Sequence, residues 1–195
     1  MIIIDADGLN VVCRHVDCVR GHGQAILTPN VVEFGRLWKC VTGEEQPTLT
    51  DWSEQPALTV ANLSSDDPSS LAVSRLAREL GCTIFLKVTL TQGPVDVISN
   101  GSRTIAVGTP GSGKRCGGIG DILAGTISTT VHLAVANRVP DPLMEACVAG
   151  SLIVRRAASL AFEEKQWSLT APDVLDALSA ALRVLLIEAN TQSSL

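Results

Sequence analysis

The feature that most constrains this chain is a glycine-rich stretch that leads directly into a helical one. Five glycines fall within residues 111–120, and an apolar run begins at Ile122. Glycines allow backbone N–H groups to converge on one anion, and the positive end of a following helix dipole strengthens the attraction. Asp121 lies at the rim of this cradle. A carboxylate there repels phosphate, so its presence indicates a specific task, which is to accept a proton from the group that attacks the phosphate. The stretch therefore predicts a phosphate site with a candidate base at its end.

Short apolar runs alternate with helical segments along the chain, which predicts an α/β fold. The strand candidates are residues 1–4, 25–27 and 82–86, and the helix candidates are residues 31–38, 68–80, 119–137, 142–162 and 170–188. Residues 95–99 and 103–107 predict a hairpin with a type I′ turn at Asn100-Gly101. We predict one domain over residues 1–195, with the polar residues 41–67 as a surface loop or insertion.

Composition excludes several classes of partner. The net charge of -5 and an aromatic content of 3% argue against nucleic acid. We expect no apolar segment of membrane-spanning length and no targeting segment. The six cysteines form no CxxC pair, so we expect free thiols in a reducing, intracellular compartment. The cytoplasm is the expected location, with mitochondria as the alternative.

The glycine stretch has two alternative interpretations, a P-loop and a plain surface loop. Residues 108–115 match the P-loop pattern except at Arg115, which cannot supply the hydroxyl that a P-loop places on Mg²⁺. A plain glycine-rich surface loop is the second alternative, but so many glycines carry a cost in chain ordering. Both alternatives are weaker than a cradle that ends in Gly117-Gly118-Ile119-Gly120-Asp121.

Four motifs in order give the chain a family resemblance. They are IDADGL at residues 4–9, LTPNVVEF at residues 27–34, SNG at residues 99–101 and RCGGIGDILAG at residues 115–125. With these motifs the chain resembles the ATP-dependent NAD(P)H-hydrate dehydratases of the ribokinase-like superfamily, and Cys116 gives the last motif its eukaryotic form. The resemblance implies a three-layer αβα ribokinase-like sheet that lacks the amino-terminal part of the family fold.

The resemblance also implies a reaction. The family removes water from hydrated NADH or NADPH (NADHX or NADPHX), using ATP as co-substrate to phosphorylate the ring hydroxyl before phosphate leaves. Asp121 is the implied catalytic base, and N–H groups around Gly118 and Gly120 hold the developing charge. The implied substrate-binding residues are Asn30, Val31, Val32, Glu33, Phe34, Gly35, Arg36 and Asp121.

The ATP site implied by the resemblance combines a lysine motif with the glycine stretch. Its residues are Lys87, Gly93, Asp96, Gly111, Ser112, Gly113, Lys114, Arg115, Cys116, Gly117, Gly118, Ile119 and Gly120. Either Lys87 keeps the position of the family lysine beside a five-residue insertion, or Gln92 occupies it. Mg²⁺ is implied indirectly through Asn30 and Glu33, although the same pair equally fits a helix capping box.

Two further functions stay open. A ribokinase-like small-molecule kinase uses the same cradle and base, and a non-catalytic nucleotide-binding fragment fits a shortened chain. A homo-oligomer also stays open.

Overall fold

The computed structural model describes residues 1–51, 60–88 and 95–192, and within these ranges six strands form one sheet. The strands are β1 (Ile2–Ile4), β2 (Ala25–Leu27), β3 (Val60–Asn62), β4 (Thr83–Lys87), β5 (Asp96–Ser99) and β6 (Thr104–Val107). The helices are α1 (Asp7–Arg14), α2 (Val31–Thr42), α3 (Pro68–Leu80), α4 (Ile119–Ala136), α5 (Pro142–Lys165) and α6 (Ala171–Gln192). Short 3₁₀ helices, Val16–Cys18 and Gln166–Ser168, follow α1 and α5.

The sheet combines a parallel part with an antiparallel part. Its strand order is β1-β2-β4-β5-β6-β3. β1, β2 and β4 run parallel, whereas β4, β5, β6 and β3 are antiparallel neighbours. Because parallel neighbours end at the same edge of a sheet, the residues that follow β1 and β2 come together with the end of β4.

Helices cover both faces of the sheet. Along β2, Leu27 packs into a buried apolar cluster with α1, α2 and α3, whereas Ile26 packs into a second cluster with α4 and α5. Leu86 and Phe85 of β4 divide in the same way, as the alternation of side chains along a strand requires. The helix α6 packs on α5. This arrangement confirms the predicted three-layer αβα fold.

The hairpin of β5 and β6 is confirmed, but its predicted two-residue turn is wrong. Ser99 pairs with Thr104, so four residues connect the strands. The Asn100 side-chain oxygen accepts hydrogen bonds from the N–H groups of Ser102 and Arg103 at 3.0 and 2.9 Å. These two bonds stabilise the longer loop, which strand periodicity alone does not reveal.

Part of the predicted surface loop belongs to the sheet. Within residues 41–67 the structure forms β3, which pairs antiparallel with β6. A three-residue edge strand carries too little apolar periodicity to be seen in a polar stretch, and its pairing partner lies far along the chain. Residues 52–59 of this predicted loop lie outside the described ranges.

The helix α4 contradicts the expectation that no apolar segment reaches membrane-spanning length. Its 18 residues have a mean hydropathy of 1.4, so the helix is long and apolar enough, by length and composition only, to cross a membrane. Interspersed Ser, Thr and Gly residues interrupt the apolar run in the sequence, yet the mean over the helix stays high. In the structure α4 packs against α5, and 17% of the helix is buried.

Candidate active site

Three polar residues lie at the carboxyl ends of the parallel strands. Asp5 follows β1, Asn30 follows β2, and Lys87 is the last residue of β4. The Lys87 N–H donates to the Pro29 carbonyl at 2.8 Å, and Lys87 also forms an isolated parallel bridge with Asn30. These backbone contacts hold the three residues at the sheet edge where open α/β proteins bind their ligands.

A largely buried ion pair joins the ends of β1 and β4. Lys87 Nζ lies 2.8 Å from Asp5 Oδ1, and the two side chains are 22% and 16% exposed. The first turn of α4 packs on this pair, because a Cβ atom at Gly120 would lie 3.3 Å from Asp5 Oδ2 and 3.7 Å from Lys87 Nζ. The absence of a side chain at Gly120 therefore brings the positive end of the α4 dipole close to the Asp5–Lys87 pair, with the Asp5 carboxylate nearest.

The predicted cradle forms the N-terminus of α4. Gly118 precedes the helix with a φ of 94°, and no side chain in the described part of the chain caps the helix there. The N–H groups of a first helical turn have no partner inside the helix, so they are available to an anion. Ile119 and Gly120, the first two helical residues, line the adjoining cavity.

A cavity of about 270 Å³ brings most of the predicted ATP-binding residues together. Its lining includes Asn30, Lys87, Asp96, Gly111, Ser112, Lys114, Arg115, Cys116, Ile119 and Gly120. Gly113, Gly117 and Gly118 are not among the lining residues, and Gly93 and Gln92 lie outside the described ranges. The cavity thus joins the end of β4, the start of β5 and the glycine stretch, as the sequence predicts for one nucleotide site.

Sequence reasoning missed the contribution of α5 to this cavity. Ser151, Val154, Arg155 and Ala158 line it at the i, i+3, i+4 and i+7 spacing of one helix face. The sequence signal that could have found them is a polar pair one turn apart, Ser151 and Arg155, within residues 146–162, which are otherwise apolar except for Arg156 and Ser159.

The register of the β4–β5 hairpin helps to decide whether Lys87 or Gln92 corresponds to the lysine of the family's ATP-binding motif. Lys87 lies directly opposite Asp96 in this hairpin, and the Val88 N–H donates to the Val95 carbonyl at 3.0 Å. The insertion therefore falls in the connection between the two strands, and Lys87 keeps a place beside Asp96. This geometry favours Lys87 over Gln92 as the counterpart of the family lysine, an assignment that stays a prediction.

The Lys114 ammonium group contacts protein rather than projecting freely into the cavity. Its Nζ donates to the carbonyls of Trp167 and Leu169 at 2.6 and 3.0 Å. Ser112 Oγ accepts from the Lys114 N–H at 3.0 Å and donates to the Lys114 carbonyl at 2.7 Å. Lys114 thus fastens the glycine stretch to the segment after α5, and its predicted contact with ATP phosphates requires these bonds to change.

Two glycines of the stretch have contrasting surroundings. A Cβ atom at Gly113 would lie 3.0 Å from Phe162 Cε1, so this glycine permits close packing on α5. A Cβ atom at Gly117 meets no heavy atom within 4 Å. Gly117 therefore has room around it, whereas Gly113 serves packing.

Asp121 lies in the first turn of α4, between two residues that line the cavity, Gly120 and Leu123, but does not line it itself. Its side chain is exposed and lines a second groove of about 390 Å³ between α4 and α6, together with Gly125, Leu175 and Leu178. Among the described residues, none of the predicted substrate residues on α2 lines this groove. Asp121 therefore lines a groove that the sequence did not predict, and its neighbour Gly120 lines the first cavity.

The predicted substrate stretch forms the N-terminal part of α2. Val32 and Arg36 are exposed, and Val31 and Gly35 are partly buried. Phe34 has no exposed surface, and its ring packs 6.0 Å from that of Trp38, so this side chain serves the core. Substrate binding by this stretch stays a prediction, and its exposed side chains, Val32 and Arg36, together with its backbone are the groups available for it.

Asn30 and Glu33 form a helix capping box at the start of α2, which is one of the two roles that the sequence allowed for this pair. Asn30 Oδ1 accepts from the N–H groups of Val32 and Glu33 at 2.9 and 3.0 Å. Glu33 Oε2 accepts from the Asn30 N–H at 2.8 Å. Asn30 Oδ1 and Glu33 Oε2 are thus engaged at the start of α2, and the indirect role of this pair at Mg²⁺ stays a prediction. Across the described residues no group of three or more His, Cys, Asp or Glu side chains could hold a metal ion.

The fold and the glycine stretch together define a ribokinase-like α/β protein whose predicted phosphate cradle lies at the N-terminus of α4. The chain belongs to the NAD(P)H-hydrate dehydratase family, whose family model matches residues 1–180. It is similar to curated relatives named ATP-dependent (S)-NAD(P)H-hydrate dehydratase. The identity is 34% over 180 residues with that of Entamoeba histolytica, 33% over 190 residues with that of Vitis vinifera and 32% over 190 residues with that of Homo sapiens.

The matches cover this chain almost fully and its relatives only by half. The alignments span 91%, 93% and 94% of this chain, and 51%, 48% and 48% of the three relatives in the same order. The chain therefore spans about half the length of the curated relatives it matches.

Proposed function

We propose that this chain catalyses the ATP-dependent dehydration of hydrated NADH or NADPH, which returns the damaged cofactor to its reduced form. The observation that carries the proposal is the position of Asp121. It follows the glycine cradle directly, next to Gly120 in the lining of the cavity that contains the predicted ATP residues, and it lines a second groove itself. The names of the relatives, which specify ATP dependence and NAD(P)H hydrate, support the choice of substrates.

The chemistry needs a base beside an anion site. The hydrate carries a hydroxyl group on its reduced nicotinamide ring, and hydroxide is a poor leaving group. Asp121 accepts the hydroxyl proton while the oxygen attacks the γ-phosphate of ATP, releasing ADP. The ring nitrogen then expels phosphate by breaking the C–O bond, and loss of a ring proton restores the dihydropyridine. ATP and the hydrate thus yield ADP, phosphate, a proton and NADH or NADPH.

The residues around Asp121 suit the charge that develops. N–H groups in the first turn of α4 stabilise negative charge on the transferring phosphoryl group. Lys87, which is 2.8 Å from Asp5, supplies a positive group beside Gly120. We assign no step to Mg²⁺, because Asn30 and Glu33 satisfy each other and the backbone of α2.

A nucleotide-binding module without turnover is the second candidate. It is favoured by the length of the chain, which is about half that of the relatives. The two candidates differ in one outcome, because both bind ADP but only the dehydratase restores the reduced nicotinamide.

The assignment of Asp121 as base is tested by the variant Asp121→Asn. We expect turnover to fall by about 10²–10⁴-fold, the usual contribution of a general base, while ATP affinity changes less than about twofold. Asp66→Asn, at an exposed position that lines neither cavity, is the matched control and should leave both quantities unchanged. Equal losses of affinity and turnover in Asp121→Asn contradict a role as base.

The proposal also extends to the setting of the protein. We propose a reducing intracellular compartment, which is supported by six cysteines that are all free thiols. The net charge of -5 argues against nucleic acid as a partner, and we propose that the local cradle holds small anionic ligands despite this charge.

A further inference from the structure

A charged group that no motif predicted reaches the nucleotide cavity from α5. Arg155 and Ser151 lie one turn apart on the cavity face of this helix. Ser151 has no exposed surface, and the side chains of Arg155 and its partner Asp96 are 12% and 10% exposed. A buried arginine retains its charge, so its contacts must satisfy that charge.

Two side chains of α5 donate hydrogen bonds to the Asp96 carboxylate. Arg155 Nε donates to Asp96 Oδ2 at 2.8 Å, and Ser151 Oγ donates to the same oxygen at 2.6 Å. Both donors come from α5, whereas Asp96 begins β5. The carboxylate is therefore fixed in the cavity wall by the helix behind it.

The same guanidinium group also holds the start of the glycine stretch. Arg155 Nη1 donates to the Thr109 carbonyl at 3.1 Å. Two residues further on, Gly111 lies against α5, because a Cβ atom there would be 3.9 Å from Arg155 Cα. One planar group thus ties β5 and the segment 109–111 to the helix, and both border the cavity.

We propose that Arg155 is a positioning residue of the nucleotide cavity, which sets the place of residues 109–111 and fixes Asp96 as a structural acceptor in the wall. This inference rests on the proposed function, since it takes the cavity to be the ATP site. It assigns to Asp96 an indirect role in place of the direct ATP contact that the family resemblance implies. Lysine cannot replace Arg155, because the guanidinium holds Nε and Nη1 at a fixed spacing that reaches Asp96 and Thr109 together, whereas an ammonium group carries all its donors on one nitrogen atom.

Calorimetric titration with ADP tests the inference in the folded protein. We expect Arg155→Lys to weaken ADP binding about tenfold, the loss typical of one charged hydrogen bond. The KM for ATP should rise by the same factor, with kcat at saturating ATP within about twofold of wild type. Arg156→Lys is the matched control, because Arg156 is the next residue on α5, does not line the cavity and lies 3.6 Å from Glu188. It should bind ADP as the wild type does.

A double-mutant cycle separates an indirect role of Asp96 from a direct one. If Asp96 acts only through Arg155, Asp96→Asn weakens ADP binding no more than Arg155→Lys does, because the Arg155–Thr109 bond remains, and the double variant is no weaker than Arg155→Lys alone. If Asp96 contacts the nucleotide independently, the two losses add, and this overturns the structural role of Asp96.

Ser151→Ala keeps the test decisive if the charged variants do not fold. It removes one donor to Asp96 and leaves the guanidinium in place, so we expect ADP affinity to fall about threefold. A folded Arg155→Lys, or failing that Ser151→Ala, that binds ADP like wild type overturns the inference, even if urea unfolding shows lower stability. If the wild-type chain itself binds no ADP, the result refutes both the proposed nucleotide site and this inference.

Discussion

The substitution Gly118→Ala tests whether the cradle depends on the backbone of this one residue. Gly118 has a φ of 94°, which lies in the region that favours glycine. A Cβ atom there would also lie 2.9 Å from the Cβ of Ala171, the first residue of α6. An alanine must therefore adopt a strained backbone and displace the start of a helix.

The size of the effect follows from these two costs. The left-handed backbone costs a non-glycine residue about 1–2 kcal/mol. Overpacking against Ala171 costs about 1–3 kcal/mol. A chain of this length loses about 2–4 °C in Tm for each kcal/mol. We therefore expect Gly118→Ala to lower the Tm by several degrees, on the order of 10 °C.

Gly117→Ala provides the matched control in the adjacent position. A Cβ atom at Gly117 meets no heavy atom within 4 Å, and its φ lies outside the left-handed region. We expect its stability to stay within about 0.5 kcal/mol of wild type. Scanning calorimetry of both variants is the assay. Equal stability of Gly118→Ala and wild type, or equal destabilisation of the two variants, refutes this account of the cradle.

Two further predictions concern the helices and a thiol. A Cβ atom at Gly150 would lie 2.7 Å from Ile127 Cγ1, so Gly150→Ala should cost about 1–3 kcal/mol in urea unfolding. Gly125→Ala, which meets no atom within 4 Å, should gain up to about 1 kcal/mol, and a gain in both variants contradicts close packing of α4 on α5. Burial and a hydrogen bond with Cys40 raise the pKa of the Cys13 thiol from its ordinary value of 9.0 to about 11. At pH 8, iodoacetamide should therefore modify Cys13 about a hundred times more slowly in the folded chain than in the urea-unfolded chain, because two pKa units change the thiolate fraction a hundredfold. Since the folded chain binds this proton more tightly, the free energy of unfolding should fall as the pH rises from about 9 towards 11. Equal modification rates in the two states contradict the raised pKa.

The features that were predictable from sequence are those with local causes. Asp67 and Pro68 start α3, with Asp67 Oδ1 accepting from the Ser70 N–H at 2.9 Å. Gly81 ends the helix with a φ of 65°. The capping box that begins α2 is equally local. Each of these signals involves residues within one helical turn, so the sequence alone contains the whole interaction.

Apart from the connection between β5 and β6, the missed strand, cavity residues and groove depend on partners distant in sequence. The edge strand β3 forms only because β6 offers it a partner. The contribution of Arg155 to the cavity depends on Asp96 and Thr109, which come from a strand and a loop. The groove beside Asp121 exists because α6 packs near α4. Apolar periodicity reports how a segment is buried and does not report which distant segment covers it.

The central claim is that this chain uses ATP to dehydrate hydrated NADH or NADPH. The most direct measurement mixes the purified chain with ATP and hydrated NADH, then quantifies ADP, phosphate and reduced nicotinamide together. We predict equal amounts of all three products, with no phosphorylated nicotinamide nucleotide persisting. A stable phosphorylated product with ADP but no restored NADH would instead identify a kinase, and ADP binding without any product would identify a nucleotide-binding module. Either result contradicts the dehydratase.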